Sequence, residues 1–106
     1  MKPTKEEVLQ EIIKISFYYE SEGVANVGGI AKRLNTTTYH VNKHIKTLLN
    51  EGLIEKGVRS GGYNELTEMP YPPIKGYKLT KKATELEIYQ KLKDDDEKNF
   101  AEFFGF

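Results

Sequence analysis

The sequence predicts an α+β domain of three helices, a two-stranded hairpin and a C-terminal helix. Three observations carry this. Apolar residues recur at helical spacing over residues 8–17, 27–34 and 41–49. Residues 53–58 then read as a strand, with Tyr77-Lys78-Leu79 as its partner and Ile74 at the approach. From Thr80 the helical spacing returns. A chain of 106 residues has room for one domain and one modest core. Within it, residues 1–22 hold the first helix, 27–50 a helix-turn-helix, 53–79 the hairpin and 80–106 a C-terminal helical segment.

The first helix opens on Thr4-Lys5-Glu6-Glu7, which has the form of a capping box. Two acids in the first turn suit the helix dipole. The helix is expected to run to about Glu20, with Gly23 as its stop. Val8, Ile12, Ile15 and Tyr19 form one apolar stripe, and Leu9, Ile13 and Phe17 a second beside it. A surface helix of a monomer needs only one stripe. The second points to burial against a partner subunit, the alternative being a helix sunk into its own core.

Val27, Ile30, Ala31 and Leu34 mark the second helix, with Asn26 as N-cap and Asn35 as a left-handed stop. Gly28-Gly29 is a poor helix former and is read as close packing of that helix's first turn. Thr36-Thr37-Thr38 opens the third helix, which runs to about Asn50. Its buried face holds Val41, Ile45, Leu48 and Leu49, with His44 at the edge. These residues are expected to share one core with Ile30, Leu34 and Leu53. Thr38, Tyr39, Asn42, Lys43 and Lys46 fall on the other face, which is free of acids until Glu51. Hydroxyl, amide and ammonium groups in that arrangement can touch base edges and neutralise phosphates. The plain alternative is a solvated helix face. His40 and His44 are too few for a metal site, and no metal or other cofactor is expected.

Glu51-Gly52 ends the third helix. In the hairpin that follows, Arg59-Ser60-Gly61-Gly62 is strong turn chemistry, and Arg59 beside it could enter a minor groove or grip phosphate. Pro70-Tyr71-Pro72-Pro73 cannot lie in a central strand, so the loop is long. Tyr63, Tyr71 and the prolines could form a protein-binding patch.

Three short motifs add a family resemblance. Ile30-Ala31-Lys32-Arg33-Leu34 resembles the "LA-x-x-L" helix of winged-helix regulators. Leu48-Leu49-Asn50-Glu51-Gly52-Leu53-Ile54 resembles their "L-x-x-x-G-L-I" junction, and Tyr77-Lys78-Leu79-Thr80 their "Y-x-L-T" wing closure. In order and spacing, residues 27–82 are similar to MarR-like and related small winged helix-turn-helix regulators. The resemblance implies a dimeric fold that lays residues 37–50 in the major groove of DNA. The loop is longer and richer in proline than the family pattern, and the C-terminal region is short for a large dimer arm.

Past Thr80, a helix through roughly Lys93 places Ala83, Leu86, Tyr89 and Leu92 along one side. Asp94-Asp95-Asp96-Glu97 reads as a solvated run. Phe100, Phe103, Phe104 and Phe106 follow, a cluster expected to fold onto the domain, a dimer mate or a protein partner.

Charge is divided along the chain. Residues 27–82 carry ten bases (Lys32, Arg33, Lys43, Lys46, Lys56, Arg59, Lys75, Lys78, Lys81, Lys82) against Glu51, Glu55, Glu65 and Glu68. The whole chain is neutral, so both ends are acidic. A basic centre on a helix-turn-helix pattern is the electrostatic footprint of a nucleic-acid binder. The expected function is sequence-specific binding of double-stranded DNA by a homodimeric transcription regulator, through Lys32, Arg33, Thr37, Thr38, Tyr39, Asn42, Lys43, Lys46 and Arg59. The alternative is a protein–protein module, or a replication initiator, within a transcription or replication assembly. No nucleophile–base pair or nucleotide loop suggests an enzyme. The absence of cysteine, of a membrane-length apolar run and of a signal-peptide pattern fits a cytoplasmic protein without a membrane partner.

Overall fold

A computed structural model describes residues 2–18 and 21–104, with side chains through Ala101. Helix α1 (Lys5–Ser16) opens on the capping box: Thr4 Oγ1 accepts from the Glu7 amide, and the Glu7 carboxylate accepts from the Thr4 amide, each at 3.1 Å. Val8, Leu9, Ile12 and Ile13 are all buried inside the chain. Over the described helix both apolar stripes are mostly covered within the chain, with Ile15 and Phe17 half-buried against the core; Tyr19, in the first stripe, lies outside the described residues. The helix ends about a turn earlier than its composition suggests. The Phe17 amide turns back to the Lys14 carbonyl, and Ser21 Oγ donates to the carbonyls of Ile15 and Tyr18, both at 2.8 Å. These bonds satisfy carbonyls that a longer helix would have used.

Helices α2 (Val27–Arg33) and α3 (Thr38–Asn50) form the helix-turn-helix. Asn26 caps α2 by accepting from the Gly29 amide, and Asn35 adopts φ +53° in the turn between the helices. Thr37 caps α3, and Gly52, at φ +73°, follows its C-cap. Ile30, Val41, Ile45, Leu48 and Leu53 are buried together with the α1 residues, and Leu34 packs half-buried at the rim.

Strands β1 (Ile54–Arg59) and β4 (Ile74–Leu79) form the wing, paired antiparallel from Ile54↔Leu79 to Arg59↔Ile74. The first strand is shifted by one residue from the expected 53–58, and its partner runs further back than Tyr77, to Ile74. At the tip, β2 (Tyr63–Asn64) and β3 (Met69–Pro70) make a second, smaller hairpin. Pro70 is tolerated there because this ladder has only two strands and no third to receive its missing N–H.

The wing is fastened to the body at one crossing. Ala25 bridges to Tyr77, with reciprocal amide–carbonyl bonds of 2.7 and 2.9 Å. Asn26 Nδ2 also donates to the Lys75 carbonyl at 3.2 Å. A Cβ at position 76 would overlap the Ala25 carbonyl, so the close approach requires glycine.

Thr80 joins the wing to the C-terminal segment. Its hydroxyl donates to the Gly52 carbonyl at 2.6 Å, its amide donates to the Leu53 carbonyl, and its oxygen caps α4 (Lys81–Thr84). Instead of one helix from Thr80 to about Lys93, a break at Glu85-Leu86 separates α4 from α5 (Glu87–Phe104). The break brings Leu86, Ile88, Tyr89 and Leu92 against the core, with the Tyr89 ring 5.8 Å from that of Phe17. The acidic run lies inside α5, and residues 93–100 are exposed. The side chains of Phe103 and Phe104, and all of Phe106, lie outside the described residues.

Replacing Gly76 by Ala should destabilise the fold by about 1–3 kcal/mol, the usual cost of overpacking. Urea unfolding measures it; an unchanged midpoint would show that the Ala25 crossing yields freely.

Candidate nucleic-acid interface

Helix α3 places the expected residues by rotation alone. With Val41, Ile45 and Leu48 turned inward, Thr38, Tyr39, Asn42, Lys43 and Lys46 all emerge on the exposed side. Tyr39 is 74% exposed, too open to count as a core aromatic. Among the described residues, Lys43 and Lys46 form no ion pair, so both ammonium groups face solvent uncommitted. The acid that closes this face is occupied: Glu51 takes Lys5 Nζ at 2.7 Å, and its backbone carbonyl accepts from Lys82 Nζ at 2.8 Å. Thr37 is spent partly as the N-cap, its hydroxyl oxygen accepting from the His40 amide.

The two histidines are structural neighbours of this face. His44 Nε2 donates to the Pro3 carbonyl at 2.8 Å, which fixes its proton on that nitrogen and ties the chain's start to α3. His40 is half-buried, with its ring edge-on to Tyr39 at 5.4 Å.

Helix α2 divides its two bases. Lys32 is exposed. Arg33 is engaged inward: its Nε donates to Glu11 at 2.6 Å, and its guanidinium lies 5.5 Å from the Tyr18 ring centre. The hydrogen bond that Arg33 donates to Glu11 raises the Arg33 pKa above its ordinary value, outweighing an opposing effect of burial. Arg33 thus straps α2 to α1, a use that no local pattern shows because the partners lie 22 residues apart.

Strand register sorts the wing bases onto two faces. The pairs Lys56↔Tyr77 and Val58↔Lys75 share one face, so Lys56 and Lys75 are diagonal neighbours there. Together with Asn26 and Val27 they line a cleft of about 530 Å³ at the wing's base. Arg59 belongs to the other face. It is half-buried at the end of β1, lining a cavity with Ile15, Phe17, Tyr18 and Val24. The structure therefore places Arg59 at a cavity shared with the end of α1. Lys56 and Lys75 were visible as bases in the sequence, but their shared face depends on a register that the long loop conceals.

No described protein family and no curated protein matches the sequence. Solved structures do. Wild-type ZitR of Lactococcus lactis in complex with DNA matches 99% of this chain and 60% of its own length, with TM-score 0.53 and 18% identity. The MepR–DNA complex of S. aureus matches 94% of this chain and 63% of its own, with TM-score 0.52 and 19% identity. The chain shares the winged helix-turn-helix fold of these structures. At this identity the likeness is one of fold, and this chain spans less than two thirds of either structure. Among the described residues, no helix is long and apolar enough to cross a membrane.

Proposed function

We propose that this chain binds double-stranded DNA sequence-specifically and acts as a transcription regulator, with α3 in the major groove and the wing stem in support. The observation that carries the reading is the exposed, acid-free face of α3, held outward by burial of Val41, Ile45 and Leu48. Its side chains divide by chemistry. The Asn42 amide can donate and accept at once, which matches the adenine edge. Tyr39 stands beside it for base contact. Lys43 and Lys46 reach phosphates on either side of the groove, with Thr37, Thr38 and Lys32 in support. Lys56 and Lys75 extend the cationic track along the wing. Arg33 serves by fixing α2 to α1. Regulators solved on DNA share the fold, which adds to the reading.

The protein works as a homodimer in this reading. Since the described stripes of α1 are mostly covered within the chain, the contact falls mainly to the outer part of α5, where residues 93–100 are exposed and Phe100 is 58% exposed. A two-fold arrangement sets two α3 helices roughly 34 Å apart, one turn of DNA.

Lys43→Ala and Lys46→Ala should each weaken binding to selected and random duplexes alike, lowering the salt slope by about one. Asn42→Ala should cost about 1–3 kcal/mol on the selected duplex and less on random DNA. Fluorescence anisotropy across a salt series measures both. Unchanged affinity in all three variants would leave this face an ordinary solvated helix surface.

Light scattering at high micromolar concentration should give twice the chain mass. A monomeric mass there would contradict the dimer.

A further inference from the structure

The wing changes character halfway along. Its stem carries Lys56, Arg59, Lys75 and Lys78, whereas residues 60–74 contain Glu65 and Glu68 and no Lys or Arg. A surface that follows a phosphate backbone needs cations, and two carboxylates with no compensating base are repelled by it. The tip is thus built to stand off DNA. It is also apolar: Leu66 is 96% exposed, Met69 64%, Tyr63 58% and Tyr71 51%. Register sorts them: Tyr63 pairs with Pro70 and Asn64 with Met69, so Tyr63 falls on one face of the tip and Met69 on the other, with Leu66 in the loop between the strands.

The tip is also held in shape. Asn64 Oδ1 accepts from the Leu66 amide at 2.9 Å, which sets Leu66 at the apex. Tyr63 Oη donates to the Glu68 carbonyl at 2.6 Å, and the Tyr71 amide donates to the Gly62 carbonyl at 2.9 Å. A Cβ at Gly61 would overlap the Pro72 carbonyl, so the proline segment is seated directly on the glycine turn. Holding these groups before contact lowers the entropy lost on binding. Pro70, Pro72 and Pro73 have no N–H to offer an added strand, so an occupant meets side chains and not a sheet edge.

We propose that the wing tip is a docking surface for a second protein, which meets Leu66 and Met69 with apolar side chains flanked by lysine or arginine. The charge of the occupant follows from the two exposed carboxylates, Glu65 and Glu68, at the rim of the patch. This role is independent of the DNA face on α3, so the two surfaces can be occupied together.

The test uses the full chain labelled with ¹⁵N and two short synthetic peptides, one alternating leucine with lysine and one alternating leucine with glutamate. The lysine peptide should move the amide resonances of residues 63–71 and the glutamate peptide should not. Leu66→Ser with Met69→Ser should weaken that binding about tenfold while leaving DNA affinity unchanged. Glu65→Lys with Glu68→Lys should transfer the preference to the glutamate peptide. Shifts centred on the acidic run of α5, equal binding of both peptides, or tip resonances that move on adding duplex DNA would each overturn the proposal. So would a mass by light scattering that depends on Leu66 and Met69, because the occupant would then be a second copy. Because the titration contains no DNA, its outcome is separate from that of the DNA reading.

Discussion

Val41, Ile45 and Leu48 are sealed against α1 and α2, and that burial fixes the rotation of α3 about its own axis. Turning the helix would bring these side chains into water at about 1.5–3 kcal/mol each. Everything on the outer side follows from this constraint. Tyr39, Asn42, Lys43 and Lys46 face solvent because each lies one or two positions from a residue that is turned inward. The clamp is reinforced at the start of α1: His44 holds the Pro3 carbonyl, and Lys5 holds Glu51. The exposed ion pair adds little energy. Its effect is on charge, because it covers the one acid at the end of the basic face.

The wing depends on a second constraint, the passage of Ala25 across Gly76. That crossing turns a two-stranded hairpin, marginal by itself, into an element tied to the α1–α2 connection. Because the attachment is at the stem, the stem bases are held in register while the tip projects beyond them. The wing thereby carries two different surfaces, a cationic one beside the start of α2 and an apolar, acidic one at its end.

Local chemistry made much of this fold legible. The capping box at Thr4, the caps at Asn26 and Thr80, and the left-handed Asn35 are decided within a few residues of themselves, and the sequence places them correctly. What escaped is decided at a distance. The early end of α1 depends on the Ser21 hydroxyl reaching back to Ile15. The break at Glu85-Leu86 carries no Gly or Pro and serves the packing of Leu86 and Tyr89. In the candidate interface, the α3 face was readable from periodicity, whereas the inward turn of Arg33 needed the position of Glu11. The placement of Arg59, Lys56 and Lys75 needed the strand register. The dimer expectation drew on α1 stripes that the chain mostly buries by itself over the described helix.

The central claim is that α3 and the wing stem form the DNA-facing surface. Protection of lysines from acetylation by a saturating duplex, read by mass spectrometry, tests it most directly. Lys43, Lys46, Lys56 and Lys75 should lose reactivity, while Lys91, Lys93 and Lys98 on α5 keep theirs. Protection of the α5 lysines with those of α3 left reactive would contradict the account.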